Sequence, residues 1–168
     1  MNEEGQTSGM DRLRSTKTIR EILEVATSFE KSAWDFYAAL APKVSKRIRY
    51  LVEELAEEEQ GHYEMFGALA DRPDIEQYLC DEIRVPTEDH KFSDFVQIPE
   101  IGENPDDQTV LQYALSREDA AMKHYRELAE ETAPGPIHDL FEFLANEEAK
   151  HKQELEKTYY ETVYSGGV

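Results

Sequence analysis

Residues 48–69 read IRYLVEELAEEEQGHYEMFGAL, and the order of apolar and polar side chains in this stretch decides the fold. Apolar residues recur at alternating steps of four and three, which places them on one face of an α-helix. In the middle of that face, Glu59 and His62 occupy positions where apolar side chains are expected. The stretch therefore predicts a long bundle helix whose inward face is polar at its centre.

Three other segments show the same pattern, so the sequence predicts four long helices. They span about 18–41, 45–70, 106–132 and 136–164, and prolines lie near several of their boundaries. Pro136 stands at a favoured first-turn position of the last helix. Every helix carries an acidic residue at the middle of its inward face, and two carry a histidine three residues later: Glu30, Glu59 with His62, Glu118, and Glu148 with His151.

The lengths of the connections predict how the helices are joined. Helices one and two are separated by only a few residues, as are helices three and four, which predicts two antiparallel hairpins. The segment 72–105 is long enough for a crossover along the bundle, with a short helix near 74–80. We therefore predict an all-α four-helix bundle over residues 16–164, with two antiparallel helix hairpins joined by a long crossover. Flexible tails are predicted at 1–15 and 165–168.

Composition limits the classes of function. The chain has 168 residues with 37 acidic and 18 basic side chains, a net charge of −19. Such a surface repels phosphate backbones and anionic lipid, so we expect no nucleic-acid or membrane partner. The sequence shows neither an apolar run long enough to span a bilayer nor an apolar signal segment, which favours a cytoplasmic location. Cys80 is the only cysteine and is expected to be a buried or half-buried side chain rather than a nucleophile.

The acidic residues on the inward faces indicate a metal-binding site. Unpaired carboxylates in an apolar core are costly, and four at one level repel one another. The pattern places no Lys or Arg on these faces at that level. Two divalent cations would balance four carboxylates and two neutral imidazoles to zero charge. A Glu and a His three residues apart share a helix face, and imidazole with carboxylate suits iron, manganese or zinc.

The same spacing of acidic residues and histidines occurs in both hairpins, which predicts a dinuclear metal site. The acidic residue of the second helix in each hairpin follows that of the first by 29 residues in one hairpin and 30 in the other. Helices one and three also share a Glu-x-x-Ala-x-x-x-Tyr motif, as Glu30-x-x-Ala33-x-x-x-Tyr37 and Glu118-x-x-Ala121-x-x-x-Tyr125. The hairpins are therefore expected to be related by a pseudo-two-fold axis, with one metal near each Glu/His pair and carboxylates bridging the two.

These motifs, with Glu59-Gln60-Gly61-His62 and Glu148-Ala149-Lys150-His151, resemble the rubrerythrin branch of the ferritin-like superfamily over residues of about 18–164. The resemblance implies a ferritin-like bundle that holds two iron ions, with manganese or zinc as substitutes. It implies Glu59 and Glu148 as bridging ligands and Glu30 and Glu118 as terminal ligands. His62 and His151 complete the implied ligand set.

Four further residues have two interpretations each. The resemblance favours Tyr37 and Tyr125 as hydrogen-bonding or redox-active groups near the irons, and core packing is the alternative. Glu58 and Glu147 lie on solvated helix flanks, or each accepts a hydrogen bond from the imidazole of the opposite helix. In the second interpretation Glu58 contacts His151 and Glu147 contacts His62.

The chain departs from the family pattern in two places. Rubrerythrins carry a four-cysteine rubredoxin domain that delivers electrons, whereas Cys80 is alone here. They also usually have a further carboxylate one turn after the first in helix three, where this chain has Ala121. We therefore expect an external electron donor, either a rubredoxin-like protein or a reductase.

The leading hypothesis is a di-iron oxidoreductase, a rubrerythrin-like peroxidase that reduces hydrogen peroxide or O₂ in defence against oxidative stress. The alternative is a ferroxidase or iron-binding module for iron storage or handling, in which Fe(II) is the substrate and leaves after oxidation. A third possibility is a structural metal site, although inert sites favour closed thiolate coordination of zinc. A homodimer is possible by analogy with the family.

Overall fold

The computed structural model describes residues 16–85 and 92–165, and its main elements are four long α-helices. The helices are α1 (Ile19–Leu40), α2 (Lys46–Ala70), α3 (Asp107–Glu131) and α4 (Pro136–Tyr160). The predicted all-α four-helix bundle is confirmed. α4 ends earlier than predicted, because the chain continues as a π-helical turn over Glu161–Ser165. The tails predicted at 1–15 and 165–168 lie outside the described residues, apart from the backbone of Ser165.

α1 and α3 begin at a side chain that accepts a hydrogen bond from a free backbone amide of the first turn. The Thr18 hydroxyl accepts a hydrogen bond from the amide of Glu21 at 3.2 Å, and Asp106 accepts one from the amide of Thr109 at 2.7 Å. Such caps supply partners for N–H groups that have none within the helix. α4 instead begins with Pro136, preceded by Gly135 at a φ of 154°, which L side chains rarely adopt.

The connections form two hairpins and one crossover, as predicted. A short 3₁₀ turn over Ala41–Lys43 joins α1 to α2, and a few residues join α3 to α4. In the crossover, a 3₁₀ turn over Glu76–Tyr78 lies where a short helix was expected. The crossover also holds β2 (Glu82–Arg84), which pairs antiparallel with β1 (Thr16–Thr18) ahead of α1. These two strands were not expected from the sequence.

The last part of the crossover is held against α1 and α3. A 3₁₀ turn over Phe92–Val96 buries Phe92, whose ring stacks between Phe29 at 4.0 Å and His124 at 4.1 Å. The Ser32 hydroxyl donates a hydrogen bond to the Val96 carbonyl. The crossover therefore covers one side of the bundle near its middle.

The apolar core is divided into two clusters by a polar layer. One cluster includes Phe29, Leu128 and Phe141, and the other includes Ile48 and Leu111. Along every helix, the residues of one cluster end before the inward acidic residue, and those of the other begin after it. The polar layer is therefore enclosed by apolar side chains on both sides.

Two further sequence expectations concern the surface. Cys80 is exposed, so its predicted burial was wrong; it follows the 3₁₀ turn of the crossover and lies outside both core clusters. Within 16–85 and 92–165, no helix combines the length and the apolarity that crossing a membrane requires.

Candidate metal centre

The six residues proposed as ligands meet at the middle of the bundle. Each helix contributes its inward acidic residue, and α2 and α4 add the two histidines one turn later. The four carboxylates of Glu30, Glu59, Glu118 and Glu148 are 0% exposed, while His62 and His151 are 5% and 3% exposed. The helical spacing therefore brings all six side chains into one buried layer, as the sequence analysis predicted.

His62 lies at the centre of the first cluster. Its Nδ1 atom is 3.6 Å from Glu30 Oε2, 3.5 Å from Glu59 Oε2 and 3.3 Å from Glu148 Oε1. Two donors on one metal with bonds of about 2 Å lie roughly 3–4 Å apart. One ligand atom from each of these four residues lies within 4.8 Å of the others. The separations are those of a site for one cation.

His151 occupies the corresponding position in the second cluster. Its Nδ1 atom is 3.9 Å from Glu59 Oε1, 3.6 Å from Glu118 Oε2 and 3.6 Å from Glu148 Oε2. These four residues also offer ligand atoms within 4.8 Å of one another. Glu59 and Glu148 belong to both clusters, and the two imidazole rings are 6.0 Å apart. The arrangement is two adjacent four-residue clusters that share two carboxylates.

The buried polar atoms that lack a hydrogen-bond partner show whether these six residues suit a metal ion. Buried polar atoms nearly always have a hydrogen-bond partner, so a concentration of exceptions requires an explanation. In the described part of the chain, eight buried atoms of the six residues have no such partner. Seven of them belong to the close contacts of the two clusters: Glu30 Oε2, Glu59 Oε2, Glu118 Oε2, both carboxylate oxygens of Glu148, and the Nδ1 atoms of His62 and His151. The eighth is Nε2 of His151. The residues fit a metal-binding site.

The ionisation of the metal-free chain reflects the same crowding. Burial raises the pKa of Glu30 well above its usual value, and the charge of Glu59 raises it further. Burial alone would lower the pKa values of both histidines, but the close carboxylates, Glu148 first among them, favour the charged imidazolium and outweigh it. The pKa of His151 is raised to about 11, and that of His62 is also raised. In the absence of metal, protons therefore occupy groups of this layer at neutral pH.

Arg117 is a charged residue of this layer that the sequence analysis missed. It is 0% exposed, and its Nη1 donates to Glu59 Oε1 at 3.1 Å and to Glu118 Oε1 at 3.0 Å. Burial would lower its pKa, but the charge of Glu59 and its other neighbours raise it, so the guanidinium stays charged. The expectation that no Lys or Arg lies at this level was therefore wrong.

The position of Arg117 in the sequence explains why it was not expected in this layer. Arg117 directly precedes Glu118 and so falls beside the inward series used for α3, but its long side chain reaches into the layer. A second series at steps of four and three runs along the same helix and is buried throughout: Val110, Ala114, Arg117, Ala121, His124 and Leu128. That second series was the signal that could have identified it.

The two tyrosines lie in different surroundings despite their matched motifs. The Tyr125 hydroxyl donates to Glu30 Oε1 at 2.7 Å, which is the contact expected of a tyrosine that supports a carboxylate of the layer. The Tyr37 hydroxyl is buried and has no partner among residues 16–85 and 92–165. Its ring lies 5.7 Å from the Arg117 guanidinium. Only Tyr125 therefore supports a carboxylate of the centre directly.

The acidic residues beside the ligands also differ from each other. Glu58 Oε2 contacts Nε2 of His151, on the side of the ring opposite the cluster, which agrees with the second interpretation of this residue. Such a contact orients an imidazole toward a metal. Glu147 instead pairs with Lys150 at 3.2 Å, which agrees with its interpretation as a helix-flank residue.

A four-helix bundle with two histidines and four carboxylates enclosed at its centre defines the class: a helical-bundle protein with a metal-binding site of carboxylates and imidazoles. The family model described as rubrerythrin matches residues 14–94 and 109–165. The chain belongs to the rubrerythrin family, and the described residues include no rubredoxin domain. Neither the curated proteins nor the solved structures used for comparison gave a match.

Proposed function

We propose that this protein is a non-haem di-iron oxidoreductase that reduces hydrogen peroxide or O₂ at the central layer of the bundle. The observation that carries the proposal is the pair of clusters that share Glu59 and Glu148, each with one imidazole directed at the carboxylates. Membership of the rubrerythrin family supports iron as the metal.

The proposed ligands divide between two positions. Glu30 and His62 would hold the first metal and Glu118 and His151 the second, while Glu59 and Glu148, which belong to both clusters, would serve both. Iron held at these positions would supply two electrons and Lewis acidity for cleavage of an O–O bond. The four carboxylates carry the negative charge that offsets the metal ions, and the apolar clusters on both sides exclude bulk water from the layer.

Reduction of hydrogen peroxide consumes two electrons and two protons, breaks the O–O bond and yields two water molecules. Reduction of O₂ to water consumes four electrons and four protons. Tyr125 holds Glu30 in place through its hydrogen bond. Burial raises the pKa of Tyr37, so its unpartnered hydroxyl stays protonated, and we propose it as a hydrogen-bond donor near the layer. The electrons consumed in each cycle come from an external rubredoxin-like protein or reductase, since Cys80 is the only cysteine in the sequence.

The test is to load the metal-free protein with Fe(II) under anaerobic conditions and mix it with limiting hydrogen peroxide or O₂. The rate of oxidation is followed by absorbance, and the iron retained per chain is measured after repeated cycles of reduction. We expect rapid oxidation with two irons retained. Loss of the iron after each oxidation, or accumulation beyond two per chain, would contradict the proposal and favour iron handling.

Adjacent glutamates provide a matched pair of variants. Glu148→Ala removes a proposed bridging ligand and is expected to abolish oxidation and retention of the iron pair. Glu147→Ala removes a carboxylate one residue away that pairs only with Lys150 among the described contacts. This control is expected to behave like the parent chain, and equal loss in both variants would contradict the assignment of Glu148.

A cytoplasmic location and a homodimer remain predictions from the sequence.

A further inference from the structure

Arg117 places a permanent positive charge inside the proposed metal centre. It contacts three of the four carboxylates, through hydrogen bonds to Glu59 and Glu118 and through Nη2 at 3.7 Å from Glu30 Oε2. Its guanidinium carbon lies 4.0 Å from the centre of the Phe29 ring, which covers it from the apolar side. A charge held this way is fully desolvated and cannot move into water when metals bind.

The hydrogen bonds also select carboxylate oxygens. Arg117 Nη1 donates hydrogen bonds to the Oε1 atoms of Glu59 and Glu118. The Oε2 atoms of the same residues have no hydrogen-bond partner and lie in the two histidine clusters. Because a guanidinium donates in a fixed planar geometry, it orients Glu59 with Oε2 toward His62 and Glu118 with Oε2 toward His151.

The charge of Arg117 changes the balance predicted from the sequence. Two divalent ions, four carboxylates and two neutral imidazoles sum to zero, so Arg117 makes the layer +1. Oxidation of both metals to the trivalent state makes it +3. Coulomb repulsion between buried charges is weakly screened, so a nearby fixed cation disfavours the added positive charge.

We propose that Arg117 is a positioning residue of the metal centre that holds Glu59 and Glu118 and stabilises the divalent over the trivalent state of the bound pair. The inference rests on the proposed function in that it assumes a redox-active metal pair. It concerns the reduction potential of the centre rather than its substrate. A centre that favours Fe(II) reacts with strong oxidants such as peroxide and is easily reduced again by the external donor.

The test compares the full-length parent chain with Arg117→Gln, Arg117→Lys and Arg126→Gln, each loaded with iron. Arg126 is an exposed arginine on the same helix and serves as the matched control. Reduction potentials are measured by spectroelectrochemistry, and Zn(II) affinities by competition with a chelator. We expect Arg117→Gln to shift the potential to more negative values and Arg117→Lys, which keeps the charge, to restore most of the shift. Arg126→Gln is expected to match the parent.

Zinc binding separates the charge from a merely structural contribution, because zinc has no redox step. Removal of a cation beside two bound cations is expected to tighten Zn(II) binding at least tenfold in Arg117→Gln. A structural role predicts weaker binding instead, because the carboxylates lose their orientation. An unchanged potential in iron-loaded Arg117→Gln overturns the proposal, as does weaker zinc binding.

Failure of Arg117→Gln to fold does not end the test. Arg117→Met provides a neutral side chain that packs against Phe29, since apolar replacements of buried charges are often tolerated. If neither variant folds even with zinc present, Arg117 is a structural residue and the proposal is wrong. Failure of the proposed function would appear differently, as an absence of bound iron or of peroxide and O₂ reactivity in the parent chain.

Discussion

Replacement of the two motif tyrosines by phenylalanine tests the geometry of the centre most sharply. Tyr37 and Tyr125 occupy equivalent positions of the duplicated motif, and both are 0% exposed. Only Tyr125 donates to a carboxylate, with 2.7 Å between its hydroxyl and Glu30 Oε1. Tyr125→Phe leaves a buried acceptor without this donor, at a cost of about 1–3 kcal/mol. Tyr37→Phe removes a hydroxyl that has no partner among the described residues, so the expected cost is near zero.

The assay is equilibrium urea unfolding of the metal-free variants, followed by circular dichroism. Metal-free protein is used because bound metal would itself stabilise the folded state and hide the difference. We expect a lower midpoint for Tyr125→Phe at unchanged slope and a midpoint for Tyr37→Phe close to that of the parent. Equal destabilisation by both substitutions would refute the reasoning, since the hydrogen bond to Glu30 would then have no measurable effect on folding.

Three further predictions follow from the structure. The pKa of His151 in the metal-free chain is raised to about 11, so the imidazole is protonated at pH 7, whereas a metal binds its neutral form. Metal loading is therefore expected to release protons, measured with an indicator dye in weak buffer, and metal affinity is expected to weaken as the pH falls. Glu58→Ala removes the contact to Nε2 of His151 and is expected to lower metal affinity ~10–100-fold, with Glu147→Ala as the unaffected control in the same chelator competition. Phe141→Ala opens a cavity at a fully buried position and is expected to cost about 3–5 kcal/mol in urea unfolding; a change below about 1 kcal/mol would show that the apolar cluster beside the polar layer is loosely packed.

The helices and the six proposed ligands could be predicted because periodicity is a direct consequence of helix geometry. A polar residue that interrupts an apolar series, as Glu59 does in α2, must lie in the core if the helix forms. Four such interruptions, each near the middle of its helix, meet at one level when the helices pack as antiparallel hairpins. The pattern therefore contained both the fold and the central layer.

Other features depend on side-chain reach and on long-range pairing, which periodicity does not record. Arg117 enters the layer from a flanking position because its side chain is long, and the inward series alone does not show it. β1 and β2 are three residues each, too short for an alternating pattern to distinguish them from irregular chain. The difference between Tyr37 and Tyr125 arises from the packing around each hydroxyl, whereas their sequence motifs are the same.

The proposed function requires the buried layer to bind two metal ions in one shared site. The most direct measurement is anaerobic titration of the metal-free protein with Fe(II), with bound iron counted per chain and magnetic coupling between the irons measured by Mössbauer and EPR spectroscopy. We expect two irons per chain that couple through shared carboxylates, and loss of this coupling in Glu148→Ala. A single bound iron, or two irons without coupling, would contradict the proposed function.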